Sequence, residues 1–531
     1  MPTLLVRLSC FVLAASTTVP DLVRLNDIDG CRALLNDGAH VDATDMYNDT
    51  GLMHAAAMGY FELVQLLVGY GASIDATNDG DTPLHLAAAR DEQQVAEYLL
   101  DHGAQVDARN SKRQTPLFLA VQIGHGVEVA SLLLVRGASP AIRDHEGHVP
   151  LHIAAQAGKD DLVHLLLDHG AAISAKSKKR FTPLHFGAKF GRLSTAKLLL
   201  ERGANVTASD SDGGTALHRA AMQKGAQKML ELLLVQGKAP IDAKAKDGST
   251  ALHLAVVGKH TLANVALLLE HGAGIEARTN DGDTALHLCA KLNLSAPIPL
   301  LIEKGADINA KAASGRTPLQ VAMLRATTHT ARLLLDAGAK VNMAAANGDT
   351  PLHTAASVGR QDLVKMLLEH GAAVDVKASD GATPLLRALI NGNAAIAKQL
   401  QLLELLLSKG ADINAEADCP LSGKGCTSLH FAAVLDKKAL VPFLLKHGAN
   451  PQAVASMGTP LAAALQMGKT AVASVLCELD YGACQEEQQR LMKGQGQPGG
   501  SDGASAFRSQ HVSVDDDIGE LDDDDDEKEE L

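Results

Sequence analysis

The chain has 531 residues, of which 46% are hydrophobic but only 3% are aromatic, and it contains no Trp. Any core must therefore be built from Leu, Ala, Val and Ile. Residues 515–531 hold 12 Asp or Glu and one Lys, so most of the formal net charge of −14 lies there and the rest of the chain is nearly neutral. This balance argues against a nucleic-acid-binding protein, which needs an extensive positive surface.

Residues 1–16 combine Arg7, a short apolar run and small residues, as a signal peptide does. The chain ends Lys528-Glu529-Glu530-Leu531, which resembles a variant of the retrieval signal of endoplasmic reticulum residents. Against this, Arg7 interrupts the apolar run, and the last residues also continue an acidic segment. The sequence predicts a cytoplasmic protein, with the endoplasmic reticulum lumen as the alternative if residues 1–16 are a cleaved signal.

Three sequons, at Asn48, Asn205 and Asn293, distinguish these two compartments. Glycans on any of them would contradict the cytoplasmic prediction.

A tetrad of the form Thr82-Pro83-Leu84-His85 recurs about every 33 residues through most of the chain. Eleven of the twelve intervals between tetrads are 32 to 35 residues long. Such a period indicates a solenoid, because one unit cannot bury its hydrophobic face without a neighbour. The tetrads begin at Thr50, Thr82, Thr115, Val149, Thr182, Thr215, Thr250, Thr284, Thr317, Thr350, Thr383, Thr427 and Thr459.

The residue pattern within each unit predicts two helices and a turn. The Thr is a good helix N-cap and the Pro fits the first helical position. A Gly such as Gly158 ends the first helix, the apolar run 162–167 forms the second, and Gly170 follows where a left-handed C-cap is wanted. Dipeptides such as Asp79-Gly80 then predict a hairpin turn.

The tetrad, Ala87-Ala88, Leu99-Leu100, Gly103-Ala104 and the hairpin together resemble the ankyrin repeat over residues 17–484. The resemblance implies an all-α dominated repeat solenoid, in which stacked helix-turn-helix units carry β-hairpin fingers. It implies about fourteen units including a degenerate N-terminal cap, and structural hydrogen bonds from the tetrad His. Protein partners are then expected at the hairpin tips and the concave helical face.

The chain is expected to divide into an N-terminal extension (1–16), the repeat domain (17–484), a flexible linker (485–514) and an acidic disordered tail (515–531). The tail cannot bury apolar surface, which predicts disorder. It either solubilises the protein or contacts a basic surface on a partner or on the repeats.

Basic residues on three neighbouring fingers, with Phe181 beside them and Lys189 and Phe190 on the following first helix, form the predicted partner site. The alternative is a solvated face with ordinary Phe packing. The candidate residues are Arg109, Lys112, Arg113, Arg143, Lys178, Lys179, Arg180, Phe181, Lys189 and Phe190.

The one irregular interval, 44 residues from Thr383 to Thr427, provides a second candidate recognition site. It lengthens a second helix over Ala394 to Leu407 and enlarges a finger between Cys419 and Cys426. Reduced thiols are expected for this pair and for Cys477 and Cys484, with a disulfide in the finger as the alternative.

No enzyme motif is recognisable, so the sequence predicts a monomeric, non-enzymatic scaffold or adaptor that binds proteins. We expect no cofactor, no metal, no nucleic acid and no membrane span. The alternatives are a substrate-recognition subunit of an enzyme complex and a lumenal ankyrin-repeat protein.

Overall fold

The computed structural model describes residues 18–123, 127–258, 261–390, 396–419 and 423–479, together with Gln485 and Gln489. The chain divides into two compact units, one ending at Ala313 and the other beginning at Ser314. Among the described residues, the first unit holds nine helix pairs and the second holds five. These fourteen pairs confirm the predicted number of repeats.

The pairs follow one pattern, a first helix that starts at the tetrad and a second helix that runs back. The first helices of the first unit are Val19–Arg24, Gly51–Ala57, Pro83–Arg90, Pro116–Ile123, Pro150–Ala157, Pro183–Lys189, Ala216–Ala221, Ala251–Val257 and Ala285–Leu292. Its second helices are Ile28–Asn36, Phe61–Gly69, Gln93–Asp101, Val127–Val135, Asp160–Asp168, Leu193–Glu201, Gln227–Glu231 with the π-helix Leu232–Gln236, Leu262–Glu270 and Pro297–Glu303. In the second unit the first helices are Pro318–Leu324, Pro351–Val358, Pro384–Ile390, Ser428–Val434 and Pro460–Gln466. Its second helices are Thr328–Asp336, Gln361–Glu369, Ile396–Ser408, the 3₁₀ turn Lys438–Leu440 with Val441–Lys446, and Thr470–Leu479.

The tetrad starts each first helix by the chemistry expected of its residues. Thr82 lies in extended backbone, and its hydroxyl accepts a hydrogen bond from the backbone N–H of His85. The His85 ring accepts the Thr82 N–H at Nδ1 (3.1 Å), and Nε2 lies 3.1 Å from the Gln114 carbonyl of the next repeat. Because Nδ1 is an acceptor, Nε2 carries the proton and donates. The same link to the next repeat is made by His152, His185, His218, His353 and His430.

Burial keeps these rings neutral. It lowers the pKa of His152 to about 4, and it lowers the pKa of His185 and His218 as well. Gln320, which stands at the His position of its repeat, makes equivalent bonds without a titratable group. Its Oε1 accepts the Thr317 N–H at 2.9 Å and its Nε2 donates to the Asp349 carbonyl at 2.7 Å.

Small and medium aliphatic side chains fill the space between the helices. First helices of successive repeats pack against each other within each unit, and each packs against its own second helix. Leu184, Ala188 and Leu199 are at most 1% exposed. Phe118, at the His position of its repeat, is instead buried as a packing residue. The near absence of aromatic residues therefore reflects thin helical layers.

The fingers are short hairpin turns closed by a few backbone hydrogen bonds, as from the Asp144 N–H to the His148 carbonyl at 2.9 Å. Within the described ranges, paired strands occur only at β1 (Ala417–Asp418) and β2 (Lys424–Cys426), which are antiparallel. Elsewhere there are isolated bridges, as between Asn78 and Asp81. The remaining described fingers have too few internal backbone bonds, such as that from the Ser177 N–H to the Phe181 carbonyl at 2.9 Å, to form paired strands.

Instead, consecutive finger tips bond to each other through the backbone. The Lys178 N–H donates to the Glu146 carbonyl at 2.9 Å, and the Ser211 N–H donates to the Lys179 carbonyl at 2.8 Å. This contact requires glycine nearby: Gly147 has φ +79°, and a Cβ there would lie 2.8 Å from the Lys178 nitrogen. The ladder holds neighbouring fingers at one spacing within each unit.

The enlarged finger is closed by a disulfide between Cys419 and Cys426, whose Cα atoms are 5.1 Å apart. The expectation of reduced thiols is therefore wrong here, because the antiparallel strands bring both residues within bridging distance. Cys477 is also disulfide-bonded. Cys484 lies outside the described residues.

The predicted N-terminal extension, linker and acidic tail also lie outside the described residues, apart from Gln485 and Gln489. Their boundaries stay predictions. The lengthened helix is Ile396–Ser408, 13 residues long. In the portion of the chain that the structure describes, no helix is both long enough and apolar enough to cross a membrane.

Candidate partner-binding surface

The predicted basic residues of the partner site lie on or beside three consecutive fingers of the first unit. The exposed ones are Arg109, Lys112, Arg113, Arg143, Lys178, Lys179 and Arg180. Lys112 and Lys178 are separated by a finger that carries His145 and Glu146, whose side chains are 3.5 Å apart. Backbone bonds fix this order, since the His145 N–H donates to the Lys112 carbonyl and the Lys178 N–H donates to the Glu146 carbonyl. The bases are therefore interrupted by an acid, because the middle finger carries Glu146 beside its own exposed base, Arg143.

Arg143 has a structural task in addition to its charge. Its Nη1 donates to the Gly147 carbonyl at 3.0 Å and to the Lys176 carbonyl of the next repeat. Arg278, at the same position relative to its tetrad, donates in the same way to the Lys311 carbonyl at 2.5 Å. Both arginines therefore join two repeats. The Arg143 guanidinium is thus held by backbone carbonyls, even though the residue is exposed.

An aromatic shelf, formed by Phe181, Phe186, Phe190 and His148, lies beside the third of these fingers. Phe186 and Phe190 stack with ring centroids 6.1 Å apart and planes at 12°. Phe181 and His148 approach Phe186 edge-on at 5.8 and 5.2 Å. Phe190 is 38% exposed, and the Lys189 Nζ lies 5.5 Å from its ring centroid. The structure thus brings together Phe181, Lys189 and Phe190, as predicted residues, on one surface.

Arg219 completes the shelf, although it is not among the residues predicted from the sequence. Its guanidinium lies 5.1 Å from the Phe181 ring centroid. Asp210 holds it with bonds of 2.8 Å to Nε and 2.5 Å to Nη2, and the Asp210 side chain is fully buried. The signal that could have found Arg219 is its position, because it directly follows a tetrad, as Phe186 does.

Asp144 supports His148 in a corresponding way on the preceding finger. Its Oδ1 accepts the backbone N–H groups of Glu146 and His148 at 2.9 and 2.7 Å, and its Oδ2 lies 3.3 Å from His148 Nδ1. Burial raises the pKa of Asp144, but the bonds from His148 and the backbone outweigh this effect and leave the pKa below its usual value. The carboxylate therefore fixes the His148 ring that packs on Phe186.

One trio among the described residues has the spacing of metal ligands: Asp45, Asp49 and His54 offer atoms within 4.8 Å of one another. The His54 Nε2 lies 2.9 Å from Asp45 Oδ2, and the Arg24 guanidinium bonds to the same oxygen. Because a cation of the protein already pairs with Asp45, the arrangement is that of an ion-pair network.

A cavity of about 540 Å³ opens at the start of the lengthened helix, which is one part of the second candidate site. No described residue of the enlarged finger lines it. Ile396, Gln399, residues 436–440, Pro442 and Val475 line it. Ile396 is 53% exposed, whereas Gln399 is buried and donates to the Ala388 carbonyl at 2.9 Å. The cavity therefore has an apolar, accessible edge and a fixed polar floor.

The repeats match known family models along most of their length. A model of ankyrin repeats in three copies matches residues 21–110, 117–210, 174–247, 217–312, 265–344, 298–380, 327–417 and 393–488. A second, of ankyrin repeats in many copies, matches residues 88–134. No curated protein matches the chain. The matched segments and the fourteen helix pairs cover the same stretch of sequence, and the chain belongs to the ankyrin-repeat family.

Proposed function

We propose that this protein is a non-enzymatic scaffold or adaptor that binds partner proteins through its finger tips and first-helix face. Ankyrin repeats are general protein–protein interaction modules, which supports a protein as the partner. The observation that carries the proposal is the aromatic shelf, on which an exposed Phe190 is flanked by Lys189 and lies in one cluster with Arg219. Aromatic residues and Arg are enriched among the residues that dominate binding energy.

The shelf and the third finger together favour an acidic partner segment that also carries an apolar or aromatic side chain. Lys178, Lys179 and Arg180 are exposed on the finger that leads into the shelf. Exposed charges contribute mainly to association rate and specificity, whereas a packed aromatic surface contributes to lifetime. The partner's carboxylates would meet the finger, and its apolar side chain would cover Phe190.

Charge reversal of the finger tests this assignment. The test variant is Lys178→Glu/Lys179→Glu/Arg180→Glu, and the matched control is Lys197→Glu/Lys224→Glu/Lys228→Glu, which reverses three exposed bases on or beside second helices of the same unit. A partner captured by the full-length protein and then purified should bind the control variant normally. It should bind the finger variant more weakly and associate with it more slowly at low salt. If the partner bound the finger variant and the control variant equally well, the assignment would be wrong.

A second variant tests the shelf separately from the charges. Phe190→Ala is expected to weaken binding about tenfold, chiefly by faster dissociation. Leu262→Ala is the control, because Leu262 is an apolar residue of a second helix with a similar exposed fraction, 43% against 38%. A Phe190→Ala variant that binds as tightly as the Leu262→Ala variant would remove the shelf from the interface.

The cavity beside Ile396 supports an adaptor with a second contact, in the second unit. We assign it to an apolar side chain of a second protein, which would enter beside Ile396. Ile396→Asp should abolish capture of that protein and leave the partner of the aromatic shelf bound. If the second protein is an enzyme that acts on the first, the adaptor is the substrate-recognition subunit considered from the sequence. Loss of both partners together would contradict two separate surfaces.

A further inference from the structure

The described cysteines are either bridged or fully buried. Cys419 and Cys426 bridge each other, and Cys477 is disulfide-bonded too. Cys31 and Cys289 are free thiols with 0% exposure, and burial raises their pKa to about 11 and about 12. Disulfides persist in oxidising compartments, and a thiol that cannot become a thiolate is inert there. This distribution fits a protein that folds in an oxidising compartment.

Such compartments are also where Asn-X-Ser/Thr sequons receive glycans. Asn48, Asn205 and Asn293 are all exposed. The three sequons differ in the surroundings of the Asn and of the Ser or Thr that completes the sequon. Thr50 is 5% exposed, and its hydroxyl caps the helix Gly51–Ala57 by accepting the Met53 N–H. Asn293 is the left-handed C-cap of its helix, with φ +58°.

The sequon at Asn205 has both of its polar residues at the surface. Asn205 and Thr207 are exposed in the turn that follows the helix Leu193–Glu201. The Asn205 Oδ1 accepts the Thr207 N–H at 2.8 Å and the Thr207 hydroxyl at 2.7 Å. The amide oxygen therefore takes both bonds of the turn, while the amide nitrogen Nδ2 is the atom that a glycan would modify.

We propose that Asn205 is an N-glycosylation site and that the protein matures in the oxidising lumen of the secretory pathway. The proposal uses none of the residues assigned to the partner surface, and its test does not depend on partner binding. It favours the lumenal alternative and not the cytoplasmic prediction, because Cys419 and Cys426, which were expected to be reduced, form a disulfide.

The modification transfers an oligosaccharide from a lipid-diphosphate-linked donor, which the lumenal glycosylation machinery supplies. A bond forms between Asn205 Nδ2 and the anomeric carbon of the sugar. The bond from that carbon to the donor's diphosphate oxygen breaks, and the diphosphate leaves with the electron pair. Nδ2 loses one proton, so no oxidant or reductant is needed.

Peptide mapping of the full-length protein, purified from its native cells without reductant, tests the proposal. We expect a glycan on the Asn205 peptide, and conversion of Asn205 to Asp when peptide-N-glycosidase removes it. The same map should contain the linked Cys419–Cys426 peptide. An unmodified Asn205, or a glycan found only on Asn48 or Asn293, would overturn the assignment.

Variants of the full-length chain give a test with a matched control. Thr207→Ala should abolish the glycan on Asn205, whereas Thr207→Ser should retain it because a hydroxyl remains. Asn450 is the control, because it follows Gly448-Ala449 as Asn205 follows Gly203-Ala204, and its Oδ1 accepts the Gln452 N–H at 3.0 Å. Pro451 and Gln452 exclude a sequon there, so Asn450→Gln should leave electrophoretic mobility unchanged. If removal of glycans by peptide-N-glycosidase shifted the electrophoretic mobility of Thr207→Ala as much as that of the unchanged protein, the proposal would be contradicted.

Discussion

Replacing His152 by Gln is expected to remove some of the acid sensitivity of the first unit. Burial lowers the pKa of His152 to about 4 from 6.5. The unfolded chain therefore takes up the proton first as the pH falls. The stability that the neutral ring contributes is fully present above about pH 6.5 and is lost as the pH falls towards about 4. Over that window His152 accounts for about 3 kcal/mol, of which about 2 kcal/mol is gone by about pH 5.

Gln is the right replacement because the protein already uses it. In the repeat of Gln320 the amide makes both bonds of the tetrad His, and it does not titrate. In His152→Gln the new side chain should accept the Val149 N–H and donate to the Phe181 carbonyl, as the ring does at 3.1 and 2.9 Å. Near pH 7.5 we therefore expect a stability within about 1 kcal/mol of the unchanged protein.

Amide hydrogen exchange of the helix Pro150–Ala157 is the appropriate assay, because a repeat protein opens locally and not as one unit. The opening free energy, corrected for intrinsic exchange rates, should fall by about 2 kcal/mol less in His152→Gln than in the unchanged protein between about pH 7.5 and pH 5. His169→Gln is the control, since His169 is exposed. Equal losses in His152→Gln and the unchanged protein would refute the assignment of acid sensitivity to the buried ring.

Three further predictions concern stability. Gly147→Ala should destabilise the first unit by about 1–3 kcal/mol in urea unfolding, because the new Cβ would meet the Lys178 nitrogen. Gly170→Ala is the control and should cost less, since Gly170 has φ +85° but open space around it. Equal costs for the two variants would contradict the steric argument. Cys419→Ser/Cys426→Ser should lower the free energy of unfolding of the second unit by about 2 kcal/mol, and reductant should have the same effect on the unchanged protein but none at this finger in the variant. Asp210→Ala should cost about 1–3 kcal/mol because it leaves backbone N–H groups without their acceptor, a loss that thermal unfolding of the purified protein would detect.

The sequence predicts the fold well because the same helix start and stop signals recur in most repeats. Thr at the N-cap, Pro at the first helical position and Gly at the C-cap act locally, so a pattern of residues close in sequence suffices. The finger tips could not be predicted in the same way. Their bonds join residues about one repeat apart, such as Lys178 and Glu146, and a pattern within one repeat does not show such contacts.

The proposed partner surface was only partly predictable for the same reason. Phe181, Lys189 and Phe190 lie close in sequence, and they meet in the structure. Arg143 carries the right charge, but its bond to the Lys176 carbonyl depends on the stacking of two repeats. Arg219 reaches Phe181 across a repeat boundary, and only its position directly after a tetrad marks it in the sequence.

The residue directly after the tetrad explains how one scaffold can hold its fold and still vary its surface. In most repeats the tetrad Thr and His are buried and bonded to the backbone, whereas the residue that follows the tetrad is free to vary. Where that residue is basic it pairs with a carboxylate near a finger, as in His54 with Asp45, Arg219 with Asp210 and Arg387 with Asp349. Phe186 stands at the same position without a charge, and it supports the exposed ring of Phe190. Because neither Phe190 nor the exposed bases of the finger participate in the tetrad bonds, they can be changed with little effect on the stack. A loss of binding in those variants would therefore report the interface and not unfolding.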